Sequence, residues 1–204
     1  ETNLTLRYAI VDAKAVNMAK NTIENAIKKA SGKGEEGVRY EEVRYEGYGP
    51  SGVAVIIDVL TDNVKRTAPE MRKLFEKGSG NLAKPGSVAF GFASKGVIFI
   101  ETVNTTEEQL MDAALDAGAD DIEQTEGGWE VTCEPTQFLT LRQVLETAAI
   151  KVMSAEITML PSTLVDCDAV LGGKILRMID SFEEHDDVQN VYTNADIPDE
   201  AMEE

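Results

Sequence analysis

Apolar side chains recur along this chain with two different spacings, and each spacing predicts a type of element. Intervals of three and four residues predict two helices within residues 4–30 and another helix over 65–77. A short β-branched run over 53–60 predicts a buried strand. The first part of the chain is therefore expected to be helical, and mixed α and β structure is expected to follow.

The pattern continues with two predicted strands, Val88–Phe92 and Val97–Thr102, joined at Ser94–Gly96. With the strand and helix before them they give the order β-α-β-β, which lacks one helix and one strand of a ferredoxin-like unit. Residues 173–182 have helical spacing and residues 188–193 have strand character. The missing pair is therefore found at the far end of the chain.

Residues 105–165 lie between these parts and have a similar order of elements. Two arrangements fit, namely a second α/β domain inserted into the first, or one continuous α+β domain. The predicted elements are a helix over 106–117, strands over 121–126 and 129–133 across the Gly127-Gly128 turn, a helix over 138–149 and a strand over 154–160.

Residues 47–52 spell G-x-G-x-x-G, the fingerprint of dinucleotide-binding sites. That fingerprint needs a strand before the glycines and a helix after them. Here the apolar strand follows the glycines. We therefore interpret Gly47–Gly52 as a turn, with Pro50 fixing φ and Gly52 adopting a positive φ.

Charge is distributed very unevenly within the net −18 of the 204 residues. Residues 1–100 carry 15 Lys and Arg against 12 Asp and Glu, whereas residues 101–204 carry 4 against 25. Because phosphate contacts require cations, a nucleic-acid surface is expected in the first half. The acidic half is expected to keep the protein solvated or to bind a protein partner.

No catalytic, metal-binding or cofactor-binding set emerges from the sequence, and we predict a protein that is not an enzyme. The single histidine, His185, lies among four acids, where a metal or base role competes with a simple helix-terminal position favoured by the dipole. Cys133 and Cys167 have no metal-ligand spacing and are expected to be free thiols in a reducing cytoplasm. No apolar run reaches the ~20 residues that span a bilayer.

The glycine-rich segment Gly78–Val88 is the first candidate for binding. It is expected to be mobile and exposed, and loops of this kind can lay backbone N–H groups and a lysine against phosphate. The alternative is an ordinary connector. The candidate residues are Gly80, Asn81, Leu82, Lys84, Pro85, Gly86 and Ser87.

Cations on predicted helices form the second candidate. A stripe of this kind can contact nucleic-acid backbones, and it can equally be a solvated helix face. Lys28 and Lys29 are in addition favoured by the dipole at a helix end. The candidate phosphate contacts are Lys28, Lys29, Lys65, Arg66, Arg72 and Lys73, with Lys84 nearby.

Residues 39–48 interleave arginines with tyrosines, the mixture that stacks bases and holds phosphate. The tyrosines could instead pack an interdomain linker, which is the interpretation favoured by the neighbouring Glu41, Glu42 and Glu46.

Four segments together resemble the YebC-like family, relatives of the mitochondrial translational activator of cytochrome c oxidase. They occur in the family's order along almost the whole chain. The resemblance implies three domains and so favours the inserted arrangement. The segments are Met18–Lys29, Tyr40–Thr67, Gly80–Val88 and His185–Asn194.

We therefore predict an α+β fold with an N-terminal helical module and two ferredoxin-like α/β domains, the second inserted in the first. The final residues 199–204 are predicted to be a frayed acidic tail. The predicted domains are residues 1–36, residues 37–104 together with 166–198, and the inserted residues 105–165.

The resemblance implies a regulator of gene expression that associates with nucleic acid. Two actions are open, namely DNA-binding transcriptional regulation and a role on ribosomes that stall on proline-rich sequences. Physical reasoning favours the ribosome, because no helix-turn-helix pattern is visible and the whole chain is acidic. A third possibility is a protein-interaction module that uses acids such as Asp186 and Asp187.

Overall fold

A computed structural model describes residues 4–15, 17–30, 39–125 and 127–202. No helix within these ranges is long and apolar enough to cross a membrane. The helices are α1 (Leu4–Ala15), α2 (Lys20–Ala30), α3 (Val64–Lys77), α4 (Glu107–Ala114), α5 (Phe138–Thr147) and α6 (Ala169–Glu183). The strands are β1 (Glu41–Tyr48), β2 (Ala54–Thr61), β3 (Asn81–Leu82), β4 (Phe92–Glu101), β5 (Ala119–Gln124), β6 (Gly128–Cys133), β7 (Val152–Pro161), β8 (Val165–Asp166), β9 (Val188–Thr193) and β10 (Ala195–Asp196).

The first sheet has the strand order β3-β1-β2-β9, and α3 and α6 belong to its core. Alternate residues of β2 point toward the helices, which is why Val55, Ile57 and Val59 are buried. Phe75 of α3 meets Phe182 of α6 with ring centroids 4.8 Å apart. The two helices therefore lie side by side, and their outer faces form one surface.

Strand β1 corrects our interpretation of residues 39–48 as a linker. Glu41–Tyr48 pairs antiparallel with the whole of β2, from Glu41 opposite Thr61 to Tyr48 opposite Ala54. Its alternation places Tyr45 in the apolar core while charged side chains occupy the other face. The charged residues had hidden a strand that has only one face in this apolar core.

The turn between β1 and β2 has the predicted conformation and the predicted place before a strand. Pro50–Gly52 forms a single 3₁₀ turn, and Gly52 has the predicted positive φ of 79°. A strand, β2, follows the turn in the position where the dinucleotide fingerprint has a helix N-terminus.

The second sheet has the order β5-β6-β4-β7 and shares a core with α4 and α5. Along the chain its elements run β4-α4-β5-β6-α5-β7, which is the ferredoxin-like order. Helix α1 adds to this unit, because the Tyr8 ring packs edge-on against Phe138 and its hydroxyl donates to the Pro135 carbonyl.

One predicted hairpin is wrong. Residues 88–102 do not form two strands joined at Ser94–Gly96, since a single strand, β4, runs through that point. Gly96 is needed there for close packing rather than for a turn. A Cβ on Gly96 would lie 2.6 Å from the Phe138 ring and 2.8 Å from the Cys133 sulfur.

Strand β4 pairs with β6 and β7, so it belongs to the second sheet and not to the first as expected. The second unit therefore occupies a continuous stretch from β4 to β7, and α6 and β9 return the chain to the first sheet. A small apolar cluster of Ile56, Val88 and Phe92 lies where the two units meet. We therefore move the proposed domain boundary from 104/105 to a point just before β4, whereas the boundary at 165/166 remains as proposed.

The acidic end of the chain is also more ordered than predicted. Asp199–Ala201 forms a 3₁₀ turn, and Ala201 is buried against α6 beside Gly172. Residues 203–204 lie outside the described part.

Candidate nucleic-acid interface

The glycine-rich loop is held by one buried carboxylate. We call residues 78–91 the anchored loop. Glu46 of β1 accepts hydrogen bonds from the backbone N–H groups of Gly86 (2.6 Å), Val88 (2.8 Å) and Ala89 (2.8 Å). Burial alone would raise the pKa of the Glu46 carboxyl, but these three donors and the nearby Arg44 hold that pKa below its usual value. Glu46 is therefore ionised and fixes the loop at neutral pH.

Further hydrogen bonds hold the anchored loop along its length, which differs from the mobile loop that we expected. Ala83 N–H donates to the Glu46 carbonyl (2.8 Å), and the Tyr48 hydroxyl donates to the Ser87 carbonyl (3.0 Å). A tight turn closes from Ser87 N–H to the Lys84 carbonyl (3.1 Å), with Gly86 at φ 83°. The exposed tip, residues 84–86, is thus presented in one defined position.

The cations of α3 divide into two groups. Arg66 lies within salt-bridge distance of three carboxylates, with Asp187 at 2.6 Å, Asp62 at 3.3 Å and Glu70 at 3.7 Å. It is therefore a structural residue rather than an available phosphate contact. The remaining cations are exposed and have no carboxylate within 4 Å among the described residues. They are Lys65, Arg72, Lys73 and Lys77.

Asp187 is the centre of a polar cluster that connects α3 to the segment after α6. Its carboxylate accepts from the Thr67 hydroxyl (2.7 Å) as well as from Arg66, and its carbonyl accepts from Leu60 N–H (2.8 Å). Burial would raise the pKa of this carboxyl, whereas the hydrogen bonds from Thr67, Arg66 and Thr61 hold it below the ordinary value.

His185 belongs to the same cluster. Its Nε2 lies 3.1 Å from Glu70, and its Nδ1 accepts from Asp187 N–H (3.2 Å). Three side chains of this cluster each offer one possible ligand atom, and these atoms lie within 4.8 Å of one another. This geometry, formed by Glu70, His185 and Asp187, could hold a cation. The Arg66 guanidinium already supplies positive charge at this point, so the cluster is explained by its own hydrogen bonds.

Replacing Asp187 by asparagine is expected to lower the free energy of unfolding by about 2 kcal/mol, because a charge-assisted acceptor for Arg66 and Thr67 is lost. The matched control is Asp186→Asn, since Asp186 is an exposed neighbour that makes no such contacts within the described part of the chain. Urea denaturation at neutral pH measures the difference. Equal stability of the two variants would show that the cluster does not support the fold.

Two cations that we did not predict lie beside this surface. Lys174 and Arg177 of α6 line a groove of about 270 Å³ together with Lys77 of α3. We call these three side chains the basic groove. They are exposed, and none has a carboxylate within 4 Å among the described residues. Gly78, Ser79, Met178 and Ser181 complete the lining.

A helical signal for these residues was present in the sequence. Positions 174, 177 and 181 are spaced along one face of α6, next to the face that carries the buried Ile175, Met178 and Phe182. Counting charge by halves of the chain had placed them in the acidic half. Packing returns α6 to the first sheet, next to the basic helix α3.

The remaining candidates lie elsewhere on the chain. Lys28 is exposed on α2, which contacts α1. The side chain of Lys29 lies outside the described residues.

Comparison with known proteins identifies the family. Residues 40–195 match the family described as TACO1/YebC second and third domain. Over 204 residues the chain is 46% identical to a probable transcriptional regulatory protein of Rubrobacter xylanophilus, covering 100% of this chain and 82% of that protein. The chain belongs to the TACO1/YebC family.

Other TACO1/YebC relatives agree with this assignment. A probable transcriptional regulatory protein of Trichlorobacter lovleyi is 49% identical over 201 residues, which are 98% of this chain and 81% of that protein. The crystal structure of a conserved hypothetical protein from Aquifex aeolicus has a TM-score of 0.79 at 38% identity and covers 94% of this chain and 79% of that one. The predicted family and the mixed α+β fold are thereby confirmed.

The part of this TACO1/YebC protein that contains the second sheet is strongly acidic. Residues 92–163, which contain the second sheet, carry 3 Lys and Arg against 13 Asp and Glu. On that sheet Glu123 lies directly opposite Glu130, and burial together with this neighbour raises the pKa of Glu130. By contrast, residues 77–100 contain no Asp or Glu. A nucleic-acid backbone would therefore meet the least electrostatic repulsion along the anchored loop and the basic groove.

The thiols do not add a reactive centre to this surface. Cys133 is buried in the second core, and that burial raises its pKa to about 11. Burial and then the nearby Asp168 also raise the pKa of Cys167. Both thiols are therefore protonated at neutral pH, where a thiol is a weak nucleophile.

Proposed function

We propose that this protein is a nucleic-acid-associated regulator of gene expression that acts on ribosomes and relieves stalling on proline-rich sequences. The anchored loop and the basic groove are its contacts to sugar-phosphate backbone. It has no catalytic activity of its own, and its two free thiols suit the cytoplasm.

The observation that carries this proposal is the fixed presentation of cations on an otherwise acidic protein. Lys84 stands at the tip of a loop whose backbone is bonded to Glu46, while Lys77, Lys174 and Arg177 converge on one groove. Ordering flexible side chains and loops costs entropy on binding, so a pre-ordered loop retains more of its contact energy.

Ribosomal RNA is favoured over duplex DNA by the composition of the two basic helices. Sequence reading in the major groove relies on Arg, Asn and Gln at base edges, and neither α3 nor α6 contains Asn or Gln. Structured RNA is recognised largely through shape, backbone and unpaired nucleotides. A few lysines on a rigid surface are sufficient for such contacts.

Transcriptional regulation is the second candidate, and the names of the relatives favour it. Helix α2 would then be the element that contacts base edges in the major groove, because Asn21 and Asn25 are exposed on it. A third candidate is an interaction module that binds a basic protein through the acidic second unit.

Translation of a proline-rich reporter in a reconstituted system tests the first proposal. Adding the protein is expected to relieve stalling, and Lys65→Glu with Lys84→Glu is expected to remove that effect. Arg66 is left unchanged because its substitution would disturb the ion pairs with Asp62 and Asp187. A lysine-to-glutamate control at Lys151, exposed on the second unit, should retain activity.

If adding the wild-type protein leaves stalling on the proline-rich reporter unchanged, the ribosome proposal is wrong. Salt-dependent binding to promoter duplexes that is weakened by Asn25→Ala would then favour transcriptional regulation. Binding to neither nucleic acid would leave the protein-interaction module as the function.

A further inference from the structure

Phe90 is the most exposed large apolar side chain of the described residues, with 86% of its surface accessible. Its neighbours behave in the opposite way, since Val88 is 3% and Phe92 is 9% exposed. Exposed apolar residues are common singly, but a full aromatic ring in water lacks the large burial free energy that aromatic side chains usually supply. The ring is therefore free to contact a binding partner.

The backbone around Phe90 is fixed on both sides. Ala89 N–H donates to Glu46 (2.8 Å), Gly91 N–H donates to the Val88 carbonyl (2.9 Å), and Ser162 N–H donates to the Gly91 carbonyl (2.8 Å). With Val88 and Phe92 buried on either side, the main chain holds the Phe90 ring in solvent. The ring is thus presented rigidly, which lowers the entropy cost of stacking against it.

We infer that Phe90 is a platform on which an unpaired nucleobase of the bound nucleic acid stacks. This inference rests on the proposed nucleic-acid function and names the class of nucleotide that it recognises. Stacking on an aromatic side chain tolerates every base, because each base has a π-face. Phe90 would therefore select single-stranded segments or loops over paired ones.

The surroundings of Phe90 favour a nucleotide over a peptide. The ring belongs to the same anchored loop as Lys84, and both lie within residues 77–100, the longest stretch of the chain without Asp or Glu. A nucleotide brings a phosphate with each base, so one aromatic ring and one lysine on a loop without acidic residues suit the base and the phosphate respectively. A proline-rich peptide would use the ring and leave the lysine without a role.

Tryptophan fluorescence gives a direct test, because the chain has a single tryptophan, Trp129, and it is only 7% exposed. In Phe90→Trp the added indole lies in solvent. A single-stranded RNA of about eight nucleotides is expected to quench its emission. An abasic oligomer with the same sugar-phosphate chain should bind without quenching it.

Binding measurements complete the test. Phe90→Ala is expected to weaken RNA binding roughly 5- to 100-fold, and Phe90→Tyr should restore the affinity. The abasic oligomer binds more weakly, and its affinity should be the same for Phe90→Ala and the wild type. Val103→Ala is the matched control, since Val103 is also an exposed apolar residue and lies outside the anchored loop. A melting curve for Phe90→Ala that matches the wild type shows that the fold is intact.

Three results would overturn the stacking inference. RNA binding unchanged by Phe90→Ala would reject stacking while leaving the nucleic-acid function in place. Quenching by a proline-rich peptide but not by RNA would assign the ring to a peptide partner. No binding of wild-type protein to either oligomer would reject the inference together with the proposed nucleic-acid function.

Discussion

Glu46→Ala is expected to lower the free energy of unfolding by about 3–5 kcal/mol. The substitution removes the only acceptor that the structure shows for three backbone N–H groups, those of Gly86, Val88 and Ala89. Buried donors left without an acceptor each carry a desolvation cost. Nucleic-acid affinity should fall as well, because Lys84 would no longer be held in place.

Urea denaturation measures the effect, with Glu42→Ala as the matched control. Glu42 lies four residues earlier on the same face of β1 and is exposed. A stability loss that is equal in the two variants would show that the carboxylate does not hold the loop.

The pH dependence provides an independent check on Glu46. Its pKa is lower in the folded protein than the ordinary 4.5, so its stabilising contribution is fully present above that pH and is lost as the pH falls through the folded pKa. The difference between wild type and Glu46→Gln should therefore shrink below about pH 4.5. A difference that stays constant into this range would argue against an ionised Glu46.

The second large effect is expected at the basic groove. Reversing Lys77, Lys174 and Arg177 to glutamate together should weaken binding to single-stranded RNA by about 100-fold or more at low salt. Each phosphate contact on a single strand contributes roughly 0.7 to the slope of log affinity against log salt, so the slope should fall by about 2. A filter-binding titration at several salt concentrations measures both quantities.

A pair of single variants separates local contact from total charge. Lys174→Glu and Lys151→Glu change the net charge equally, but only Lys174 lines the groove, while Lys151 is exposed on the second unit. Only the groove variant should reduce the salt slope. Equal losses in the two variants would mean that the groove makes no direct phosphate contact.

Elements with strong periodicity could be predicted from the sequence, because burial alone fixes their pattern. The limits of helix α3 and strand β2 are within one residue of those predicted. The helix buries one apolar face, and the strand buries an apolar run. Strand β1 was missed because half of its residues are charged, and most of these charged side chains face away from the helices. Strand β4 was divided at Gly96, where a glycine serves contact with Phe138 and not a turn.

The binding surface was harder to predict than the fold, because the sequence cannot show which charges neutralise each other. Arg66 and Lys65 are adjacent and look alike in the sequence, yet only Arg66 lies among three carboxylates. Two of these, Asp62 and Glu70, are four residues away on either side, and the closest one, Asp187, comes from a distant segment. Lys174 and Arg177 show the converse case. They belong to an acidic stretch, and only the packing of α6 beside α3 brings them to Lys77.

The return of the chain to the first sheet has a consequence for how the protein is made. During synthesis from the N-terminus, β1, β2 and α3 emerge early, but α6 and β9 follow only after the whole second unit. Until then the inner face of β2 lacks the helix and the neighbouring strand that cover it. The second unit is formed by one continuous stretch of chain that ends with β7, so all of it has been synthesised before β9, the last strand of the first sheet, is made. The part of the molecule that begins first is therefore the last to finish folding, and a nascent chain interrupted before β9 exposes apolar surface that favours aggregation.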